Sequence, residues 1–389
     1  MKHPASPCSI YASKRDAGGY MQFSQRILLF PLIFILLGCG AFTGSGASSI
    51  RASHEAEAPA FFVAAEWNLQ ALFDGQENGN EYGEYLESAG WTAEKYRARL
   101  VSISQALARI VPEGEQGIPD LIGFVELENA GVLEDLAQGD LSKYGYSWIA
   151  FANNPGSSLG VGFLSRYPIT ESRAHSITSG KETAPRPILE IRVEPGGKPL
   201  VFLLCHWKSK LGGDDKTEPL RRASARVIAR RLRELKESEE ETPVIVMGDL
   251  NENHDEFYRR NAISALLPDD PEAAVMAANA GATNDFLVLS GEKPPIASSF
   301  PEHIPVLHSP WYGGIEGGSF YYRDDWETID HFLLSGELFN SSGWDYADCR
   351  TVNHAPFTRS DGAPNTYIPR NGMGLSDHLP LLLFLVLVQ

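Results

Sequence analysis

An α/β protein with its chemistry gathered at strand ends is what this sequence predicts, and three observations predict it. The first is residues 242–253, TPVIVMGDLNEN. Its unbroken apolar run, Val244 to Met247, has the form of a strand buried on both faces, and it stops at Gly248, Asp249, Leu250 and Asn251. The second is residues 92–110, where Tyr96, Leu100, Ile103, Leu107 and Ile110 recur at intervals of three and four, the pattern of a helix laid on a sheet. The third is that several other apolar runs also end in a carboxylate, an amide or a histidine, which is where an open α/β sheet places its site. A chain of 389 residues can bury a large core. Length alone allows one large domain or two smaller ones, and no internal repeat or break in composition marks a second.

Residues 1–38 read as a targeting segment. One cation, Arg26, precedes the apolar run 27–37, and Gly38 and Cys39 follow. That order resembles a bacterial lipoprotein signal with LLGC at 36–39 as its lipobox and Cys39 as the lipid-carrying residue. The run is shorter than a bilayer-spanning helix requires, which favours a signal over the alternative, an uncleaved anchor. The pattern begins directly after Met21, so residues 1–20 read as an over-called start. Residues 39–59, rich in Ser, Gly and Ala, read as a flexible tether, and residues 60–389 as the domain. The expected location is extracytoplasmic, lipid-anchored to a bacterial membrane, either the outer membrane or the cell surface.

The formal charge is −17, which argues against a general polyanion-binding surface. Attraction for a phosphate must then be local, from a metal and a few basic groups. Of the four cysteines, Cys205 and Cys349 fall in the domain. An oxidising compartment would allow them to pair, while the position of Cys205 at the end of an apolar run suits a buried free thiol equally well.

Taken in order, FFVAAEWNLQALF at 61–73 is strand-like and ends near Asn68. After the helix at 92–110, Pro119 and Asp120 open a strand at 121–125 that runs straight into Glu126. A carboxylate there either bears a desolvation cost or holds a cation. Glu128 reads as a helix-start acid, ahead of a helix at 132–141. Residues 148–152 and 160–164 read as strands. Residues 188–193 and 200–205 form a hairpin closed by Pro195, Gly196 and Gly197, and His206, Trp207, Lys208, Ser209 and Lys210 follow it. Residues 220–235 are a basic amphipathic helix whose arginines read as a solvated face. Residues 291–318, rich in Pro, Gly, His and aromatics, form a long ordered loop of the kind that shapes a substrate site. Residues 319–334 return to strand with Asp330 near the middle. Asp377 and His378 precede the last strand, 381–388.

Collected, the polar residues at these ends are Asn68, Glu126, His206, Asp249, Asn251, Asp330, Asp377 and His378. Oxygen donors suit Mg²⁺, with Mn²⁺ also acceptable, and the scarcity of cysteine argues against structural zinc. Hydrolysis of a phosphate ester needs a metal to neutralise phosphate, a base to activate water and donors or an acid for the leaving oxygen. The set supplies all three.

Six segments in order, WNLQ at 67–70, PDLIGFVELEN at 119–129, HWKSK at 206–210, GDLN at 248–251, IDHFLLS at 329–335 and SDHLPL at 376–381, resemble the endonuclease/exonuclease/phosphatase superfamily. That group includes pancreatic-type DNases, apurinic endonucleases, neutral sphingomyelinases and inositol-polyphosphate phosphatases. GSFYYRDDWETIDH at 318–331 is similar to its bacterial secreted branch. Cys205 departs from the pattern, which usually has Asn before the histidine, and this touches a supporting hydrogen bond.

The resemblance implies a four-layer α/β/β/α sandwich of the DNase I-like type. It implies Glu126 as the principal Mg²⁺ ligand, with Asn68 and Asp377 near the metal or a second metal position. Asp330 would orient His378, the general base or, with Asp249, the group that positions water. Asn251 and His206 would hold phosphate oxygens, and His206 would also serve to protonate the leaving group. Lys208, Lys210, Tyr322 and Arg323 are the expected substrate-binding residues. The expected enzyme is a monomeric phosphodiesterase acting on DNA or RNA. Alternatives are a sphingomyelinase-like phospholipid phosphodiesterase or phosphatase, and a surface binding protein that kept the fold without turnover. For the lipobox, Cys39→Ala should leave an unlipidated precursor or release the protein from membranes, and unchanged detergent partitioning would overturn the reading.

Overall fold

Two sheets stack face to face, and the chain's alternation of side chains decides what lies between them. In the computed structural model the described residues are 9–14, 60–111, 117–238, 241–282, 284–296 and 298–388. The lipobox at 36–39, Cys39 and the whole tether at 39–59 lie outside them, as does all of the 1–38 segment but residues 9–14. The elements begin with β1 (Ser9–Lys14), β2 (Phe61–Leu72), α1 (Ala93–Leu107), β3 (Leu121–Leu127), α2 (Ala130–Gln138), β4 (Trp148–Asn153), β5 (Gly160–Ser165) and β6 (Ile169–His175). Next come β7 (Thr178–Ser179), β8 (Glu182–Thr183), β9 (Ile188–Val193), β10 (Leu200–His206), α3 (Asp214–Ser238), β11 (Val244–Asp249), α4 (Glu256–Arg260), β12 (Leu266–Pro268) and α5 (Pro271–Asn279). The chain closes with β13 (Leu287–Ser290), β14 (Val306–His308), β15 (Phe320–Tyr322), β16 (Asp325–Glu327), β17 (Asp330–Leu334), β18 (Gly343–Thr351) and β19 (Leu381–Val388).

The first sheet runs β1-β4-β5-β3-β2-β19-β18 and the second β12-β13-β14-β17-β11-β10-β9-β6. Phe62, Ala64, Leu121 and Val125 of the first meet Phe202, Leu204, Ile245, Met247 and Phe332 of the second in the central core. The opposite faces of the same strands carry Val63, Ala65, Trp67 and Phe124 against α1 and α2, and Val201, Leu203, Val244 and Val246 against α3. The result is the four-layer α/β/β/α sandwich. Because side chains alternate, the inner-face set on β10 is Phe202, Leu204, His206, and on β11 it is Ile245, Met247, Asp249. The apolar members fill the core and the polar member emerges at its rim.

Two glycines permit close approach, one between the sheets and one within a sheet. A Cβ on Gly123 would sit 2.7 Å from the Met247 methyl, so its absence lets the sheets approach. Gly248 has φ +120°, and a Cβ there would lie 2.0 Å from the carbonyl oxygen of Cys205. Its role is strand-to-strand approach inside the sheet.

Several elements differ from expectation. β2 continues past Asn68 to Leu72 through left-handed Gln70 and Ala71, with a register irregularity between Asn68 and Leu72. Residues 319–334 are not one strand: Arg323 and Asp324, both at positive φ, turn the β15–β16 hairpin, and Asp330 opens β17. Asn129, not Glu128, caps α2 by accepting from Val132 N, while Glu128 accepts from Asp74 N and Asn78 Nδ2. α3 begins at Asp214, and its Arg221 is fully buried among Asp214, Glu218 and Glu252. Cys205 and Cys349 are both buried free thiols. β1 pairs antiparallel with β4 as an edge strand, and Tyr11 Oη donates to Glu134. No helix among the described residues is long and apolar enough to cross a membrane.

The left-handed turn after Asn68 is held from below. Buried Arg99 of α1 donates to the carbonyl oxygens of Leu69 (2.5 Å), Gln70 (2.8 Å) and Ala71 (3.0 Å), under the Tyr367 ring at 3.7 Å. Removing it strips the guanidinium from all three carbonyls and leaves Tyr85 Oη at Gln70 O and Phe73 N at Ala71 O. Arg99→Ala should therefore lower stability by about 3–5 kcal/mol, read as a drop in the urea midpoint at unchanged slope. Arg99→Lys should recover little, because one ammonium cannot span three carbonyls.

Candidate active site

The site stands where five strands present polar residues on one rim. His206, Asp249 and Asp330 are register partners across β10, β11 and β17. Asn68 comes from β2 on the facing sheet. Glu126 reaches the same space through a bulge: it sits at φ +66°, and the β3–β5 register shifts between Val125 and Leu127. A bulge re-aims one side chain without disturbing those beneath it.

Asn68 Nδ2 lies 3.1 Å from Asp249 Oδ2 and 3.5 Å from Glu126 Oε1, so one amide ties the acids of two sheets together. Its Oδ1 accepts from Gln70 N at 2.9 Å. Glu126 Oε2 accepts from Ala71 N at 2.7 Å, a donor supplied by the left-handed turn. His206 Nε2 is 3.7 Å from Glu126 Oε1 and 3.6 Å from Asp249 Oδ2. Asn251, itself left-handed at φ 52°, donates its backbone N–H to Asp249 Oδ1 and its Nδ2 to Trp207 O. His378 Nδ1 meets Asp330 Oδ2 at 2.7 Å, and its Nε2 is 4.0 Å from Asp377 Oδ1.

Burial pushes the Asp249 carboxyl up to about 7, with Asp330 adding to the rise and His378 opposing it. Glu126 is raised by burial and by Asp377, against the pull of Arg186. Burial lowers His378, yet Asp330, Asp377 and Asp249 together hold it well above the usual imidazole range. His206 goes the other way. Burial, Arg186, His378 and Lys208 all press it well below that range, which makes it a neutral imidazole.

All eight residues expected at strand ends thus fall on one rim. Their chemistry fits a hard divalent cation: carboxylate oxygens converge, and Asp330 Oδ1 is buried without a protein partner. Among the described residues, the three ligand atoms within 4.8 Å of one another belong to Asp249, Asp330 and His378. Glu126 and Asn68, expected as metal residues, adjoin that group across Asp249, and Asp377 adjoins it through His378.

The expected substrate residues are more scattered. Lys210 Nζ is committed to buried Glu256 at 2.7 and 2.8 Å. Lys208 Nζ stays beside Ser209. Tyr322 is half exposed, with the Arg323 guanidinium 5.0 Å above its ring.

Two residues at the site were not anticipated. Arg186 donates to the carbonyls of His206 and Trp207, and interacts electrostatically with Glu126 and Asp249. It precedes β9, whose start lies beside the end of β10 because the pair is antiparallel, so the hairpin itself held the clue. Glu66 is fully buried two positions before Asn68 on the same strand face, with neither carboxylate oxygen partnered. Burial, Asp330 and Asp249 hold its carboxyl well above the usual range. A single acid in the middle of FFVAAEW was the readable signal.

Residues 63–280, more than half the chain, match the sequence model of the Endonuclease/Exonuclease/phosphatase family. Solved structures similar to this one include humanized D. rerio TDP2, at 14% identity and TM-score 0.49, covering 84% of this chain and 99% of that one. Truncated Caenorhabditis elegans TDP2 aligns at 13% identity and TM-score 0.48, covering 84% and 98%. The human Nocturnin catalytic domain aligns at 15% identity and TM-score 0.46, covering 85% and 96%. Comparison with curated proteins gives no match.

The buried acids make the stability of metal-free protein depend on pH. The folded state keeps the Asp249 proton up to about pH 7, while an ordinary carboxyl releases it near 3.8. Stability from this group is complete below the lower value and is lost as pH rises toward the upper one. In EDTA, Asp249→Asn should flatten the fall in urea-unfolding free energy between pH 4.5 and 7, by a few kcal/mol at about 1.4 kcal/mol per unit. Parallel curves for the two proteins would refute this.

Proposed function

Because the chain belongs to the endonuclease/exonuclease/phosphatase family, we propose that this hydrolase of phosphate esters is a divalent-metal-dependent phosphodiesterase acting on nucleic acid outside the cytoplasm, with Mg²⁺ as its ion. The observation that carries the reading is the Asp330–His378 pair at 2.7 Å on the same rim as Glu126 and Asp249. A carboxylate-oriented imidazole beside clustered acids matches in-line attack on a phosphate.

Glu126, with Asn68 and Asp377 beside it, would hold the ion, which supplies charge neutralisation at the phosphate. The chain's own groups do the rest. Asp330 fixes His378 through Nδ1, and Nε2, once it has released its own proton, would take one from the attacking water or, with Asp249, aim it. His206, kept neutral, offers an N–H to a non-bridging oxygen, a donor's role in preference to an acid's. Asn251 supports the same oxygens. Arg186, beneath the His206 carbonyl, adds fixed positive charge at the phosphate. Under this reading the acidic domain is held to a bacterial membrane through lipid on Cys39 and works as a monomer.

A lipid head-group phosphodiesterase is favoured by one observation: the ion pair with Glu256 withdraws Lys210 from the basic path a nucleic acid would follow. Initial rates against NaCl separate the two. On DNA, wild type should lose activity steeply with salt, and Lys208→Ala should shallow the log–log slope by about one. On sphingomyelin the profile should be flat. Glu126→Gln should cost at least about 10²-fold in Mg²⁺-activated turnover while leaving the thermal midpoint in EDTA unchanged or higher. Full activity of that variant at ordinary Mg²⁺ would displace the metal from Glu126.

A further inference from the structure

The catalytic pair has one hydrogen bond between its side chains, and a single bond fixes a point without fixing a plane. Asp330 Oδ2 holds His378 Nδ1, but Asp330 Oδ1 has no protein partner, so the carboxylate does not clamp the ring's rotation. The plane of the imidazole is set elsewhere. The ring of Phe320 stacks on it at a centroid distance of 4.5 Å and an interplanar angle of 28°.

Phe320 is itself fixed to both members of the pair. Its backbone forms an antiparallel bridge with His378. Neighbouring Ser319, fully buried, accepts from Leu379 N through its carbonyl at 2.7 Å and from Asp330 N through its Oγ at 3.2 Å. The base of the β15–β16 hairpin is thus joined to the strand that carries the acid and to the loop that carries the base. Outward along the hairpin, Tyr322 stacks on Phe320 at 6.1 Å and 13°, and Arg323 lies over Tyr322. A row of planar groups runs from solvent to the imidazole.

We propose that Phe320 is a positioning residue for His378, and that the β15–β16 hairpin carries it as a rigid mount linking the outer substrate surface to the Asp330–His378 pair. The inference rests on the phosphodiesterase reading for its effect on rate, and on geometry alone for the stack. An aromatic face packed on the imidazole restricts rocking about the Nδ1 contact, so that Nε2 keeps one direction.

The experiment pairs kinetics with a direct view of the ring. Bis(p-nitrophenyl) phosphate is the probe, since it has no polymer backbone to bind along the hairpin. Phe320→Leu should lower kcat about 10- to 100-fold with KM within about twofold, and Phe320→Tyr should restore most of it. In protein carrying ¹³C-labelled histidine, loss of the ring current should shift the His378 ring signals downfield in Phe320→Leu and leave them nearly in place in Phe320→Tyr. Unchanged kcat in Phe320→Leu, or a raised KM at unchanged kcat, would overturn the positioning role. If wild type cleaves neither this diester nor plasmid DNA, the phosphodiesterase reading falls. The His378 signals then decide the stack, and unmoved signals in Phe320→Leu overturn it.

Discussion

Mutual repulsion of buried carboxylates is the constraint on which the rest of this structure depends. Glu66, Glu126, Asp249 and Asp330 converge where two sheets meet, and desolvation disfavours the charged forms of Glu66, Glu126 and Asp249. Such a cluster survives only when the scaffold beneath over-determines each position. The central core supplies that, because Phe202, Leu204, Ile245, Met247 and Phe332 lock the strands on which His206, Asp249 and Asp330 ride. Gly123 belongs to the same requirement: without the close approach it permits, acids on opposite sheets would not face a common space.

Beyond the strands, two buried arginines hold the loops. Arg99 gathers the carbonyls of 69–71 and thereby fixes the Ala71 N–H that Glu126 accepts. Arg221 joins the loop after β10, through the Lys208 carbonyl, to the loop after β11, through Glu252. Glu252 in turn accepts from Leu266 N, and its carbonyl faces His331 Nε2. A guanidinium suits both places because its planar fork reaches several acceptors at fixed angles. Neither arginine faces the rim, yet each decides where an acid stands.

The sequence made the rim legible because it obeys alternation. An apolar run that ends in a polar residue of the inward parity can be read without a structure, and His206 on β10 and Asp249 on β11 follow that rule. Asn68 and Glu126 were read from their places after apolar runs; the parity of Glu126 is that of outward Phe124, and only a bulge that no periodicity signals brings it to the rim. Arg186 escaped because only strand ends were considered, and a site beside an antiparallel pair also takes the next strand's beginning. The Arg-rich face of α3 hid Arg221, since period-based reading places charge outward and has no term for an ion network. The hairpin turned by Arg323 and Asp324 lacked the Asn-Gly or Asp-Gly signal that such turns usually carry. Lys210 read as a free cation, while its partner Glu256 lay 46 residues away in sequence.

The two histidines show how one arrangement of charge divides the chemistry. His206 and His378 occupy a single rim, and both are buried. His206 has Arg186 and Lys208 among its neighbours, and these add to burial in disfavouring its charged form. His378 faces Asp330, Asp377 and Asp249, and these outweigh burial. The same imidazole is therefore held neutral on β10 and held in its charged form ahead of β19. Residue type could not separate them, since both are histidines next to an apolar strand. The separation comes from which strand each neighbours: β9 brings a guanidinium to one, and β17 brings a carboxylate to the other. Environments that push like groups apart assign the roles of acid, base and donor, and here strand order sets those environments.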